Sequence, residues 1–350
     1  MKKELIFSSL LAVMIAVIGL SKFAFKKDIK ETKGVDVVPT MEDVIAKDSS
    51  WCPTFQLIFN DLKNDIVKQD IKFDKSNTFL DNLNKEEFKE SDISSDYYYK
   101  TYGVKSIELK NKIIKGIKDK FNQKSDILDK FDFTNSSPNN YFFYSMLYRE
   151  FKYPKKFNKL ANGKFNDKYD DIKYFGIKDK DEELAKQIKV LYYNNEDDFA
   201  IKLLTTSNDE VIINKNPSGN NFREIYNNIT SKSKEYKDNE FTIDSDYFKM
   251  PYLSLNVMKE YKELEGQPIK DSEGNLIEIG TALQTIKFTL DDVGGKIKSE
   301  AGMNVMKSSI EDNKSKRYFY VDKTFAIFLK ETSKDKPYFA ARVDDIRKFQ

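Results

Sequence analysis

The sequence predicts an α+β protein with a large β-sheet, and three observations lead to that class. Helical periodicity is concentrated before residue 135, strand-like patterning dominates from 136 onward, and the composition is unusually aromatic. The 350 residues are 39% hydrophobic and include 27 Phe and 20 Tyr, enough for a sizeable core despite a charged share of 33%. No fixed repeat period runs through the chain.

Taken in order, residues 1–27 read MKKELIFSSLLAVMIAVIGLSKFAFKK, a basic start followed by an apolar run. That pattern marks a signal peptide or a membrane anchor. Gly19-Leu20-Ser21 would serve as a small-x-small cleavage site, and the run is close to the shortest that spans a bilayer, so both outcomes stay open. Membrane contact is expected only through residues 5–21, and the remainder is expected outside the cytoplasm, either secreted or held at the membrane. Lys, Asn, Asp and Ile dominate and the single cysteine has no pairing partner, which suggests a bacterial extracytoplasmic protein. Residues 28–50 read as a polar tether and 51–350 as one domain, mainly helical over 51–135 and mainly β over 136–350.

Within that domain, residues 54–71 set Phe55, Ile58, Phe59, Leu62, Ile66 and Val67 at helical spacing. Further helices are expected over 92–131, where Ile107, Ile113, Ile114, Ile117 and Phe121 gather near one face of 106–121. NSSPNN at 135–140 breaks the pattern. Strands are then expected over 141–148, 188–193, 199–205, 210–213, 253–257 and 283–290. Three more close the chain, at 318–321, 325–329 and 338–343. Between 290 and 318 lies a long, proline-free segment rich in glycine and small polar residues, far beyond an ordinary hairpin connection.

Chemistry is mostly excluded. With no histidine, neither a Ser-His-Asp nor a Cys-His nucleophile pair is possible, and no His-ligated metal site. Cys52, the one cysteine, sits between Trp51 and Pro53 and reads as a small buried hydrophobe. No phosphate-binding glycine loop is present. KDKDEE at 178–183 begins like a calcium loop, but Leu184 stands where glycine is required. NNEDD at 194–198 reads as a polar hairpin turn. No enzyme, metal or cofactor is expected. The net charge of +2 is spread among interspersed lysines and acids, which argues against nucleic acid as a partner.

The long segment and its flanks resemble the carboxy-terminal part of the serpin family. Thr285-Ile-Lys-Phe-Thr-Leu290 looks like the strand before the hinge, Asp291-Asp-Val-Gly-Gly295 like the hinge entrance, and Ser299-Glu-Ala-Gly302 like its small-residue step. Tyr320-Val-Asp-Lys-Thr-Phe-Ala-Ile-Phe-Leu329 is similar to the family's return strand, and Pro337-Tyr-Phe-Ala-Ala-Arg-Val343 to its closing strand. Upstream, Tyr144-Ser-Met-Leu-Tyr-Arg-Glu-Phe-Lys-Tyr-Pro-Lys-Lys-Phe157 resembles the segment that crosses the family's central sheet, with Ser145 where an asparagine is usual and Tyr153 where a tryptophan is usual. The likeness spans roughly residues 140–347.

The resemblance implies a serpin-like fold: helices on a large mixed sheet, a smaller carboxy-terminal sheet and an exposed reactive-type loop. It implies a hinge at Gly294, Gly295, Ser299, Glu300, Ala301 and Gly302, and a sheet-opening region around Ser145 and Tyr153. Gap-free counting from Gly295 puts the scissile bond near Ser309 and counting from Ser299 near Asp312, so the candidate region holds Lys307, Ser308, Ser309, Asp312 and Lys314. A serine or cysteine protease would cut loop 294–317, and the loop would then enter the sheet as a new strand, the protein acting as a monomeric inhibitor. Insertion suits small side chains such as Ala301 and Gly302, whereas Lys296, Lys298, Met303 and Asn304 would be awkward to bury. A non-inhibitory binding or structural protein on the same body is the second reading.

Overall fold

The largest sheet starts inside the stretch expected to be a tether. Asp36–Val37 (β1) and Ser49–Trp51 (β2) pair in parallel, and β2 joins the carboxy-terminal strand of the chain. Val37, Val38, Met41 and Trp51 are buried, and the polar residues between them are satisfied in place: Asp43 accepts from the Thr40 backbone and hydroxyl and from Asn82. Such short strands, buried by tertiary contacts rather than by their own pattern, leave no periodicity to read. The computed structural model describes residues 30–134, 140–296 and 315–350, with Glu31–Gln350 as one unit. The segment 1–27 therefore lies outside the described residues.

The expected first helix forms as Thr54–Asp61 and continues as a π-helical turn over Leu62–Val67, stopped by the left-handed Lys68. A short helix, Thr78–Asn84, is capped by Asn77. The region expected to be helical throughout 92–131 instead contains the strand Tyr98–Val104 (β3), followed by the helix Ile107–Phe121. Ser106 caps that helix through the Leu109 N–H, and Leu109, Ile113 and Ile117 form its buried face.

The β-rich part follows: Tyr141–Leu147 (β4), Phe151–Lys152 (β5), Asn158–Lys159 (β6), Gly163–Phe165 (β7), Tyr169–Ile172 (β8) and Tyr174–Gly176 (β9). After the one-turn helix Glu182–Lys186 come Ile188–Asn195 (β10), Asp198–Leu204 (β11) and Asp209–Lys215 (β12). The helix Phe222–Glu235 leads to Asp246–Pro251 (β13) and Leu253–Glu260 (β14), then Pro268–Lys270 (β15) and Leu276–Glu278 (β16). Leu283–Leu290 (β17) and Gly294–Lys296 (β18) precede the long segment; Arg317–Tyr320 (β19), Phe325–Glu331 (β20) and Pro337–Val343 (β21) follow it.

The seven-stranded sheet runs β1-β2-β21-β20-β12-β11-β10. Its middle strands are buried on both faces and read as near-continuous apolar runs, as in FAIFL of β20. A four-stranded sheet, β19-β13-β9-β6, takes the strand that returns from the long segment, and a second, β14-β17-β18-β5, takes the strand that enters it. β3 and β4 form a separate ribbon covered by the helix Ile107–Phe121, with Phe142 and Tyr144 in their shared core. Phe288 of β17 meets Phe339 of β21 with ring centroids 4.5 Å apart, which couples the entering-strand sheet to the largest one. Cys52 is buried, and burial pushes its thiol up to about 11, as expected of an inert core cysteine.

Candidate functional site: a glycine pair clasped between two strands

β17 pairs with β14 over its whole length, Leu253↔Leu290 through Glu260↔Leu283. On its other edge only Thr289 and Leu290 are paired, to Lys296 and Gly295 of β18. Gly294 and Gly295 pair in turn with Lys152 and Phe151 of β5. Gly294–Lys296 thus form an inner strand of the sheet β14-β17-β18-β5. Among the described residues, the rest of that β17 edge and the edge of β4 away from β3 have no strand beside them. β5 follows β4 after three residues.

The reversal into β18 is set by Asp291. Its carboxylate accepts from the N–H groups of Val293 at 2.8 Å and Gly294 at 3.1 Å, and its own N–H donates to the Gly294 carbonyl at 2.8 Å. This is the side-chain turn that aspartate makes locally. The turn is pinned sideways as well: Tyr153 N–H donates to Val293 O at 3.0 Å and Phe157 N–H to Asp292 O at 2.8 Å. Asp292 is buried, accepts from the Tyr252 hydroxyl at 2.7 Å and pairs with Lys156 at 3.0 Å. Burial pushes its carboxyl up, but the Tyr252 hydroxyl and Lys156 outweigh that and hold it below the usual range.

Both glycines are required by close approach. A Cβ on Gly294 would stand 2.2 Å from the Phe151 carbonyl oxygen, and one on Gly295 would stand 2.3 Å from the Phe151 ring. That ring is itself buried, so the space cannot be made by swinging a surface side chain. Lys296, next along, pairs with Thr289 and keeps its ammonium half-exposed, 3.7 Å from Glu150.

Of the predicted site residues, Gly294, Gly295 and Tyr153 come together here. Tyr153 is buried against Phe157 (4.9 Å between ring centroids) and Phe175. Burial and then the neighbouring Asp291 and Asp292 hold its phenol well above the usual range. Ser145 does not join them. It lies mid-way along β4 and donates its hydroxyl to Thr54 O at 2.7 Å, tying that strand to the start of the first helix. Ser299, Glu300, Ala301, Gly302, Lys307, Ser308, Ser309, Asp312 and Lys314 fall in 297–314, outside the described residues. Asp291 and Asp292 entered the sequence reading only as part of the hinge entrance, and Phe151 and Lys156 only within the sheet-crossing segment; none of them, nor Tyr252, was given a role of its own. The Asp-x-x-Gly turn could have exposed Asp291, but Tyr252 meets Asp292 across 40 residues with no local signal.

No helix among the described residues is long and apolar enough to cross a membrane, and no cluster of metal-ligating side chains occurs among them.

No protein-family model matches the chain, and neither does any curated protein sequence. Its fold does match solved structures. Maspin aligns with a TM-score of 0.53 at 13% identity, over 84% of this chain and 91% of maspin. SRPN18 from Anopheles gambiae aligns at 0.46 and 9% identity, over 85% and 92%, and Serpin48 from Tenebrio molitor at 0.42 and 13%, over 72% and 78%. The chain has a serpin-like α+β fold.

Proposed function

We propose that this serpin-like chain is an extracytoplasmic protease inhibitor that works by loop cleavage and strand insertion, with Gly294–Lys296 as the first residues to enter the sheet. The observation that carries the reading is the position of β18, which is paired on both edges at the point where the long segment leaves β17. A strand already started between β17 and β5 lowers the cost of adding the next residues, because each one extends an existing ladder. In the proposed reaction the protease's serine or cysteine attacks a backbone carbonyl within 307–314. The peptide C–N bond breaks, the amine leaves on the β19 side, and the carbonyl carbon stays joined to the enzyme as an ester or thioester. Insertion of the acylated strand carries the protease away before water can attack the acyl bond.

Hinge residues Ser299, Glu300, Ala301 and Gly302 supply small or flexible positions for the entering strand. Lys296 favours the second reading, a serpin-fold binding or structural protein that does not trap. It is the last residue of β18, and the next alternate position, Lys298, would have to be accommodated in the same slot.

The test is to incubate the secreted domain with a panel of serine and cysteine proteases and to separate the products in SDS. A covalent band at the summed mass, abolished by inactivating the protease nucleophile, is the expected result. Cleavage within 297–314 that leaves only two fragments with every protease overturns inhibition in favour of the binding reading.

A further inference from the structure

The strand that clasps the hinge is interrupted just before it does so. Between β4 and β5 the chain passes Tyr148, Arg149 and Glu150, and Arg149 turns fully inward with 0% exposure. Its Nε lies 2.7 Å from Asp209 Oδ1 and donates to Oδ2 at 2.9 Å. One terminal nitrogen forms an ion pair with Glu331 at 2.9 Å, and the other donates to the Asn208 carbonyl at 3.4 Å. The Tyr97 ring covers the guanidinium with its centroid 3.6 Å away, and Tyr338 lies at 5.0 Å while donating its hydroxyl to Asp209 at 2.8 Å.

Asp209 and Glu331 are register partners at the ends of β12 and β20, so two carboxylates stand directly opposite each other in the largest sheet. Like charges so placed repel, and buried ones need a cation. Arg149 is that cation, and it comes from the link between β4 and β5, outside the largest sheet. Burial alternates from the link into β5: Arg149 and Phe151 are buried, whereas Glu150 and Lys152 are less so, which puts Arg149 and Phe151 on one side of the chain. Phe151 is the ring that leaves Gly295 no room for a Cβ.

We infer that Arg149 is a positioning residue for the hinge. Its ion cluster fastens the break between β4 and β5 to the ends of β12 and β20, and so fixes the distance from β17 at which Phe151 and Lys152 admit β18. In functional terms this rests on reading β18 as the start of an inserted strand. The positional claim needs no protease.

The experiment is amide hydrogen exchange on the full chain. Arg149→Met alone would strand two buried carboxylates, so the decisive variant is the charge-neutral triple Arg149→Met, Asp209→Asn, Glu331→Gln, which removes the pairs without orphaning a charge. Exchange at Gly294–Lys296 and at 151–153 is expected to speed up at least tenfold, while Ile212, Ile213 and Phe328 in the largest sheet keep their rates. Unchanged exchange at the hinge, or an equal rise in both places, overturns the inference and leaves Arg149 a purely structural charge. If the triple variant does not fold, Glu331→Gln alone decides, since it keeps the Arg149–Asp209 pair and should give the same selective pattern at smaller amplitude. Failure of the proposed inhibition would show as missing covalent bands and leave this exchange pattern intact, so the two can fail separately.

Discussion

At the scale of single residues, the site is decided by what is missing from two side chains. Gly294 and Gly295 lie against the backbone and ring of Phe151 at distances no Cβ tolerates. Replacing Gly295 by alanine forces the buried ring aside, an overpacking cost of about 1–3 kcal/mol. The expected outcome is a lower urea midpoint for Gly295→Ala, with most of the loss recovered when Phe151→Leu is added, because leucine lacks the ring atoms that the new methyl would meet. A double-mutant cycle measures this directly. Additive effects of the two substitutions would show that the methyl is relieved elsewhere. The sequence marked Gly294 and Gly295 as a place where the chain needs small residues, and their close packing against Phe151 agrees. Their actual partner was not legible, because Phe151 lies more than 140 positions away and looks like any other apolar strand residue.

At the scale of elements, the junction of β17 and β18 is a turn held by side chains from three other segments. Asp291 closes it locally, while Asp292 reaches Tyr252 and Lys156. The folded-state carboxyl of Asp292 is depressed below its ordinary value of 3.8, so the sign is fixed. Its contribution to stability is fully present above that value and is lost as pH falls through the lower, folded one. The exposed Lys156 adds little, and the buried hydrogen bond from Tyr252 carries most of an effect of about 1–3 kcal/mol. Asp292→Asn is therefore expected to be less stable than the parent at pH 7, with the difference shrinking as pH falls through the lowered folded value. Urea midpoints of both proteins from pH 2 to 7 check this. A difference that stays constant with pH would assign the effect to packing rather than to charge.

At the scale of the whole molecule, legibility followed how each element is buried. β10, β11, β12, β20 and β21 are long and apolar, and the sequence located them within a residue or two. β3, with YYKTYGV, is rich in polar-tipped tyrosines and only partly buried, so it was absorbed into a helical region. The helix Phe222–Glu235 keeps only Phe222, Ile225 and Ile229 buried among polar residues, too few to stand out. The edge of β17 away from β14, from Leu283 to Phe288, and the edge of β4 away from β3 have no strand neighbour among the described residues. An entering strand would pair with both. Each added ladder hydrogen bond contributes about 0.5–1.5 kcal/mol net, so insertion stabilises the chain only where those bonds and the burial of the strand outweigh the entropy of ordering it. The expected outcome is a higher Tm for the nicked chain, at about 1.5 °C per kcal/mol gained for a chain of this size. Limited proteolysis confined to 297–314, followed by a thermal melt of the nicked but still associated chain, measures it. A nicked protein that melts at the parent temperature would mean that the edges of β17 and β4 stay unpaired, and that the strand begun by Gly294 goes no further than Lys296.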